Sequence, residues 1–273
     1  CSILGVFDLR PGADLHPLRP LALSLSARQR HRGPDWSGVH VDANALLVHE
    51  RLAIVDPAGG AQPIKSADGS LVRAVNGEIY NHRELERRPA PSPAFQTGSD
   101  CEVVNALYRD GEAPATWLGR LNGIFAFALW DKAAGRALIA RDPMGVCPLY
   151  WGHDREGRLC VASEMKAISG LCADVAQFPP GHYYDSVTGE LTQYYRKPWR
   201  EYDATKDIEI SKQELREAFE RAVHRQLMTD VPYGVLLSGG LDSSLVAAVA
   251  ARFARNRVED DDVSEAWWPR LHS

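Results

Sequence analysis

The chain has 273 residues, of which 45% are hydrophobic, and a formal net charge of -5. This length and apolar content suffice for one large core or two, and an acidic balance without basic runs argues against a general binder of nucleic acid or anionic membranes. The five cysteines lack CxxC spacing and no apolar run reaches the length of a membrane span, so no disulfide framework, zinc site or membrane segment is indicated. We expect a cytoplasmic protein with small-molecule ligands.

Residues 1–200 form the first predicted domain, a strand-rich α+β structure in layers. Apolar runs separated by Gly, Pro and Asp predict strands at 3–9, 46–49, 54–55, 71–75, 123–130, 137–140, 149–151 and 159–162. Apolar residues at helical spacing predict helices at 20–30 and 102–108. The runs 123–130 and 137–140 are apolar throughout, which favours a buried hairpin within two packed sheets. The segment 141–145 that follows is typical of a structural turn.

Residues 201–273 form the second predicted domain, after a charged, turn-like stretch at 198–207. Ser211 and Glu214 have capping-box spacing ahead of an amphipathic helix. A strand at 233–237, a glycine turn at 238–240 and a helix at 243–253 follow, and this order is the opening unit of a parallel α/β domain. The last stretch, 256–273, contains an acidic run and a Trp pair and predicts a connector.

Cys1 is the first residue, where an unprocessed chain has Met, and this predicts a processed terminus. A thiol of ordinary pKa about 8.5 beside an α-amine of about 7.7 to 8.0 combines a nucleophile and a proton acceptor in one residue. The alternative is a cleavage scar that leaves a cysteine by accident. The other four cysteines are expected to be small core or surface residues.

Asn76-Gly77-Glu78 comes directly after the predicted strand at 71–75. An amide side chain and a backbone N–H aimed at one point suit an oxyanion hole, although Asn-Gly by itself is usually a turn. Arg51 and Asp100 have opposite charges that could bind the carboxylate and the ammonium of an amino acid. Taken singly, each is more often a partner in a surface ion pair.

The glycine turn has the sequence Ser238-Gly239-Gly240-Leu241-Asp242-Ser243-Ser244 and precedes a helix, where backbone amides can surround a phosphate. It lacks the Lys of a Walker A loop, so a conventional P-loop is excluded. The pattern resembles that of the ATP pyrophosphatases, which adenylate a substrate and release pyrophosphate.

Taken together, these motifs resemble the glutamine-hydrolysing asparagine synthetases along essentially the whole chain. The resemblance is carried by Cys1-Ser2-Ile3, the segments 30–35, 51–56, 76–81, 98–100 and 162–166, and the loop 238–244. It implies a four-layer αββα N-terminal-nucleophile glutaminase domain, followed by the first strand, loop and helix of an incomplete parallel α/β nucleotide-binding domain. It further implies synthesis of L-asparagine from L-aspartate, L-glutamine and ATP with Mg²⁺, and ammonia transfer through an internal tunnel. Glutamine hydrolysis itself would need no cofactor, and a homodimer is left open.

The resemblance also assigns roles to individual residues. Cys1 would attack the glutamine amide, while Asn76 and Gly77 stabilise the oxyanion. Glutamine would be held by a larger set: Arg51, Leu52, Ala53, Ile54, Val55, Asn76, Gly77, Glu78 and Asp100. ATP would be held by residues of the second domain: Leu236, Ser238, Gly239, Gly240, Asp242 and Ser243.

The chain stops at His272-Ser273, where the second strand of the synthetase domain would begin. We therefore expect this chain to hydrolyse glutamine without making asparagine. Two alternatives remain: a ligase of the same plan with another acceptor, such as a β-lactam synthetase or a peptide-modifying enzyme, and a non-catalytic glutamine sensor. Amidotransferases that make glucosamine phosphate or phosphoribosylamine share the first domain, but the 238–244 loop argues against them.

Overall fold

A computed structural model describes residues 1–87, 95–256, 258 and 271–273. The chain divides into two compact units, one formed by Cys1–Ala53 and Ala58–Lys197, the other by Ile54–Pro57 and Pro198–Ser273. The predicted acidic run and Trp pair lie outside the described residues, as does most of the predicted connector.

The twelve strands found in the described ranges all belong to the first unit: β1 (Ser2–Phe7), β2 (Trp36–Val41), β3 (Ala45–Arg51), β4 (Ile64–Lys65), β5 (Leu71–Ile79), β6 (Gly123–Asp131), β7 (Arg136–Arg141), β8 (Tyr150–Asp154), β9 (Leu159–Ala162), β10 (Cys172–Gln177), β11 (His182–Asp185) and β12 (Glu190–Gln193). They form two antiparallel six-stranded sheets, in the orders β10-β8-β9-β1-β3-β2 and β12-β11-β7-β6-β5-β4. The α-helices are α1 (Arg19–Ala27), α2 (His82–Glu86), α3 (Val103–Arg109), α4 (Pro114–Leu118), α5 (Met165–Ile168), α6 (Tyr202–Thr205), α7 (Lys212–Arg225) and α8 (Leu241–Phe253).

Three apolar layers hold the first unit together, because successive side chains of a strand point to opposite faces of its sheet. The layer between the sheets contains Phe7, Leu47 and Ile139. The outer face of the first sheet packs on α1 and α5, and the outer face of the second packs on α2, α3 and α4. This arrangement confirms the predicted α+β fold with αββα layers.

Most predicted strands of the first unit are confirmed, including the buried hairpin, which is β6 and β7. The prediction for 71–75 is too short, since β5 continues to Ile79 and pairs with β6 along its whole length. Asn76, Gly77 and Glu78 therefore lie within a strand and not after its end. The prediction of a strand at 54–55 is wrong. The Ile54 carbonyl instead accepts a hydrogen bond from the Asp230 N–H, 2.9 Å away, within the second unit.

The turn after β7 is structural, as predicted. Carboxylate oxygens of Asp142 accept hydrogen bonds from the backbone N–H groups of Met144, Val146 and Cys147 at 3.0–3.1 Å. The Arg141 guanidinium donates to three carbonyl oxygens around the same turn. The four remaining cysteines are buried, in agreement with their predicted role as small core residues: Cys101, Cys147, Cys160 and Cys172.

In the second unit, α7 begins with the predicted capping box, in which the Ser211 side chain and the Glu214 side chain each accept from the other's backbone N–H. The strand predicted at 233–237 is corrected: it is reduced to a single parallel bridge between Gly234 and His272. A parallel strand needs a paired neighbour along its length, and within the described chain only this one bridge supplies it. No helix in the described ranges is long and apolar enough to cross a membrane.

Candidate functional site

The apolar rows between the two sheets end in polar side chains at one end of the sandwich. Ile3 of β1, Leu47 of β3 and Ala74 of β5 all face the layer between the sheets. Because side chains alternate with a period of two, the same rows continue to five further residues: Cys1, His49, Arg51, Asn76 and Glu78. Four of the residues predicted for the site thus lie at one edge, where strands from both sheets run out: Cys1, Arg51, Asn76 and Glu78.

Backbone groups form hydrogen bonds with both the thiol and the α-amine of Cys1. The Leu52 N–H donates to the Cys1 Sγ over 3.3 Å, and the Cys1 amine donates to the Arg32 carbonyl over 2.7 Å. The Arg32 Nε returns a bond to the Cys1 carbonyl at 3.1 Å. Burial lowers the pKa of this amine below its usual 8.0, and the positive charge of Arg32 lowers it further. The lowered pKa increases the neutral fraction of the amine, which can accept a proton, beside a thiol whose anion an N–H group can stabilise.

Asn76 reaches the Cys1 end of β1 through a serine. Its Nδ2 donates to the Ser163 Oγ at 3.4 Å, and the same hydroxyl oxygen accepts from the Ile3 N–H at 2.9 Å. Both side chains are buried, at 4% and 0% exposure. Ser163 thereby joins the two sheets two residues from Cys1, a role that sequence reasoning did not assign to it.

Gly77 needs its lack of a side chain, since its φ is +128° and an added Cβ would lie 1.9 Å from the Ile124 carbonyl oxygen. Left-handed backbone beside a close carbonyl leaves only glycine at this position. The Gly77 N–H is thus carried by a strained stretch of strand next to the Asn76 amide.

We expect Gly77→Ala to lower the free energy of unfolding by about 3 kcal/mol or more, because left-handed strain adds to a steric clash with β6. Gly135→Ala is the matched control: its φ is +61° but an added Cβ meets nothing within 4 Å, so about 1–2 kcal/mol is expected. Chemical denaturation of both variants measures the difference. An equal loss of unfolding free energy in the two variants would contradict the predicted steric clash at Gly77.

Glu78, which is half-buried, and Asp100, which is buried, form an acidic pair. Burial raises the pKa of Glu78 to about 7, and the Asp100 charge adds to this rise. Burial also raises the pKa of Asp100 to about 6, against the hydrogen bond that its Oδ2 accepts from the Ile79 N–H at 2.6 Å. Arg51 lies buried at the end of β3. A buried guanidinium and two carboxyl groups in one unit are complementary to a zwitterionic amino acid.

Of the four residues predicted to form the wall of the site, two belong to the same compact unit as Cys1. Ala53 belongs to the same unit as Cys1 and Leu52, and its N–H donates to the Asp35 carboxylate at 2.9 Å. Ile54 and Val55 belong to the second unit.

His49 is a buried residue of this edge that sequence reasoning missed. Its Nε2–H donates to the Val75 carbonyl at 2.8 Å, while no described residue lies within hydrogen-bond distance of its Nδ1. Burial lowers the pKa of His49 to about 3, so the ring is neutral. The sequence offered one signal for His49, its position at the end of an apolar run. Histidines in such positions are more often structural residues of the core than members of a functional site.

The residues predicted for ATP lie in the second unit, and most of them are brought together. Gly239 has a φ of +84°, and the Ser238 and Ser243 hydroxyl oxygens are 3.0 Å apart across the turn. α8 begins at Leu241, so the first backbone N–H groups of a 13-residue helix face the turn. This arrangement fits a phosphate chain. Leu236 is 97% exposed and contributes no enclosed surface.

Comparison with known proteins agrees with both halves of this description. Residues 1–187 match the family model of the glutamine amidotransferase domain, and residues 214–264 match that of asparagine synthase. Asparagine synthetase B [glutamine-hydrolyzing] of Escherichia coli K12 is 53% identical over the whole chain, which covers 49% of that protein. A probable asparagine synthetase [glutamine-hydrolyzing] of Dictyostelium discoideum is 47% identical, again with 49% of its length covered. The chain spans about half the length of these curated relatives.

Two solved structures share the fold at low identity. A glutamine phosphoribosylpyrophosphate amidotransferase from B. subtilis has a TM-score of 0.57 at 20% identity, covering 92% of this chain and 64% of its own. An allosteric regulatory enzyme of purine biosynthesis has a TM-score of 0.58 at 20% identity, covering 91% and 63%. Since the amidotransferase family model covers more than half of the sequence, the chain belongs to the glutamine amidotransferase domain family, and its curated relatives are glutamine-hydrolysing asparagine synthetases.

Proposed function

We propose that the first unit hydrolyses the side-chain amide of L-glutamine, with Cys1 as the nucleophile. The observation that carries this proposal is the placement of the Cys1 thiol and amine at the same sheet edge as Asn76, joined through Ser163. A thiol, a proton acceptor and an amide donor are the three groups that acyl transfer from an amide requires.

In the proposed reaction the Cys1 sulfur bonds to the amide carbon, and the α-amine passes the thiol proton to the leaving nitrogen. The Asn76 Nδ2 and the Gly77 N–H would donate to the oxyanion while the carbon is tetrahedral. Ammonia leaves with formation of a thioester. Water then attacks the thioester carbon and the C–S bond breaks, which releases glutamate and regenerates the Cys1 thiol.

Substrate recognition is assigned to the buried charges of the same unit. Arg51 would bind the α-carboxylate of glutamine, and Asp100 with Glu78 would bind its α-ammonium. The backbone of Leu52 and Ala53 would form part of the wall, and Ile54 and Val55 are assigned to it by family resemblance alone.

Together with a full synthetase domain, the released ammonia would serve to make L-asparagine, as the names of the relatives indicate, with L-aspartate and ATP as the further substrates that the family resemblance implies. The loop Ser238–Ser243, which includes Asp242, would hold the phosphates through α8 amides and serine hydroxyls, and Mg²⁺ would neutralise part of the phosphate charge. Leu236 is exposed and Gly234 makes a single bridge, so this stretch encloses no adenine site by itself. We therefore propose that residues 1–273 hydrolyse glutamine and form no asparagine.

The test is to measure glutamate and asparagine released by the 273-residue chain, with and without L-aspartate and Mg-ATP. Glutamate should form under both conditions, and asparagine under neither. Formation of appreciable asparagine would overturn the proposal that this chain only hydrolyses glutamine. Absence of glutamate together with a Cys1 that does not react with a glutamine-like electrophile would favour a sensor.

The acidic pair of Glu78 and Asp100 should make glutamine binding depend on pH. Since an ammonium is bound best by ionised carboxylates, and Glu78 and Asp100 have raised pKa values of about 7 and 6, protonation should weaken binding as pH falls. We expect KM for glutamine to be constant above about pH 8 and to rise about tenfold between pH 7 and 6. Steady-state kinetics from pH 5.5 to 9 measure this, with Glu78→Gln shifting the rise to lower pH. A KM independent of pH would contradict the assignment.

A further inference from the structure

The short helical turn Asp100–Glu102 is fastened to β5 at three points. The Asp100 carboxylate accepts from the Ile79 N–H at 2.6 Å, and the Cys101 thiol donates to the Gly77 carbonyl at 3.5 Å. At the third point, the Arg73 Nε donates to the Cys101 carbonyl at 3.0 Å. The strand that carries the oxyanion donors therefore also sets the position of the Asp100 carboxylate.

Arg73 is an unusual component of this attachment because it is fully buried, at 0% exposure. Its row on β5 includes Leu71 and Val75, which face the helices and not the layer between the sheets. No partner for its Nη1 or Nη2 occurs among the residues that the structure describes. A buried guanidinium with a single hydrogen bond is costly, and such a group persists more readily where opposite charges compensate it.

The charges that compensate Arg73 belong to the same turn. Burial lowers the pKa of Arg73 to about 10, and the carboxylates of Glu102 and Asp100 act against this lowering. The side chain therefore keeps its positive charge at neutral pH. By reciprocity, that charge favours the ionised form of Asp100, which burial disfavours.

We propose that Arg73 is a positioning residue for glutamine recognition, which holds the Asp100–Glu102 turn on β5 and offsets the buried negative charge of Asp100. This inference rests on the proposed function, in which Asp100 binds the ammonium of the substrate. Arg73 lies on the helix-facing side of the sheet and so acts on the substrate only through Asp100. Its loss should weaken binding and leave the chemistry at Cys1 intact.

The test compares Arg73→Met and Arg73→Lys with Leu129→Ala. Leu129 is the buried partner of Arg73 on β6, so its truncation disturbs the same layer without removing the charge of Arg73 or its hydrogen bond to Cys101. For Arg73→Met we expect KM for glutamine to rise about tenfold, with kcat within about twofold of the unaltered chain, the size expected for hydrogen bonds to charged groups. Arg73→Lys keeps the charge and should recover part of this loss. A KM shift no larger than that of Leu129→Ala would overturn the proposal.

A second readout separates positioning from general destabilisation. Alkylation of Cys1 by 6-diazo-5-oxo-L-norleucine, which has the amino-acid end of glutamine, should slow about tenfold in Arg73→Met, while alkylation by iodoacetamide should be unchanged. Parallel slowing by both reagents would overturn the proposal. If Arg73→Met does not fold, the Arg73→Lys variant decides the question. A KM and alkylation rates equal to those of the unaltered chain in Arg73→Lys would then overturn the proposal. If the unaltered chain neither hydrolyses glutamine nor reacts with the diazoketone, the proposed function fails instead.

Discussion

Replacing Cys1 with alanine is expected to abolish glutamate release, lowering kcat on the order of 10⁶-fold, because the proposed reaction depends on the Cys1 thiol as its nucleophile. Glutamine binding should persist, since Arg51, Glu78 and Asp100 remain in place. Within the described part of the chain, the hydrogen bonds of the Cys1 sulfur are two, both with the backbone of Leu52 at 3.3 and 3.4 Å, so the free energy of unfolding should change little. Glutaminase assays with isothermal titration of glutamine measure both effects.

The matched control for this substitution is Cys160→Ala. Cys160 is a buried cysteine of the same sheet, but its side chain faces the layer under α1 and α5. This variant should lose some stability and keep its kcat. Glutamate release by Cys1→Ala at more than about a thousandth of the normal rate would show that another group acts as the nucleophile.

Replacing Asn76 with alanine should lower kcat about 10²- to 10³-fold with little change in KM, because the Nδ2 donor acts on charge that develops only in the transition state. The hydrogen bond to Ser163 is long, 3.4 Å, so the amide can turn toward the substrate at small cost. Steady-state kinetics and a thermal melt of the same preparation separate catalysis from folding. The α-amine and thiol of Cys1 should still react with iodoacetamide at the normal rate.

Asn44→Ala is the control for Asn76→Ala. The Asn44 side chain donates to the Asp8 carbonyl at 2.7 Å, beyond the opposite end of β1. Its loss should reduce stability without a change in kcat. If kcat of Asn76→Ala stays within tenfold of the unaltered chain, the Asn76 amide is not an oxyanion donor.

Local sequence patterns correctly predicted the elements that are stabilised by residues close to one another in the sequence. The apolar runs around the turn at 131–136 predicted the buried β6–β7 hairpin, because the two strands adjoin in sequence and need only close a short turn. The start of α7 followed from Ser211 and Glu214, since a capping box satisfies backbone donors within one helical turn. Both signals require no knowledge of distant residues.

Predictions were wrong where a distant partner decides the outcome. Asn76-Gly77 is usually a turn, yet here it continues β5 because β6 supplies partners as far as Ile79. The run 233–237 has the composition of a buried strand, but one bridge to His272 cannot complete a parallel pair. Propensity is a property of one segment, whereas a β-strand forms only where a second segment pairs with it.

The sequence by itself determined which chemical groups this protein has: a thiol with its own amine, an Asn-Gly pair, opposite charges suited to an amino acid, and a glycine turn before a helix. Only the tertiary structure decided which of them meet, and it added His49, Ser163 and Arg73, whose contacts span 26, 87 and 28 residues of sequence. The physical reason is that capping, turn and periodicity rules act over a few residues. The site is assembled by side-chain rows from strands of two sheets that end at one edge.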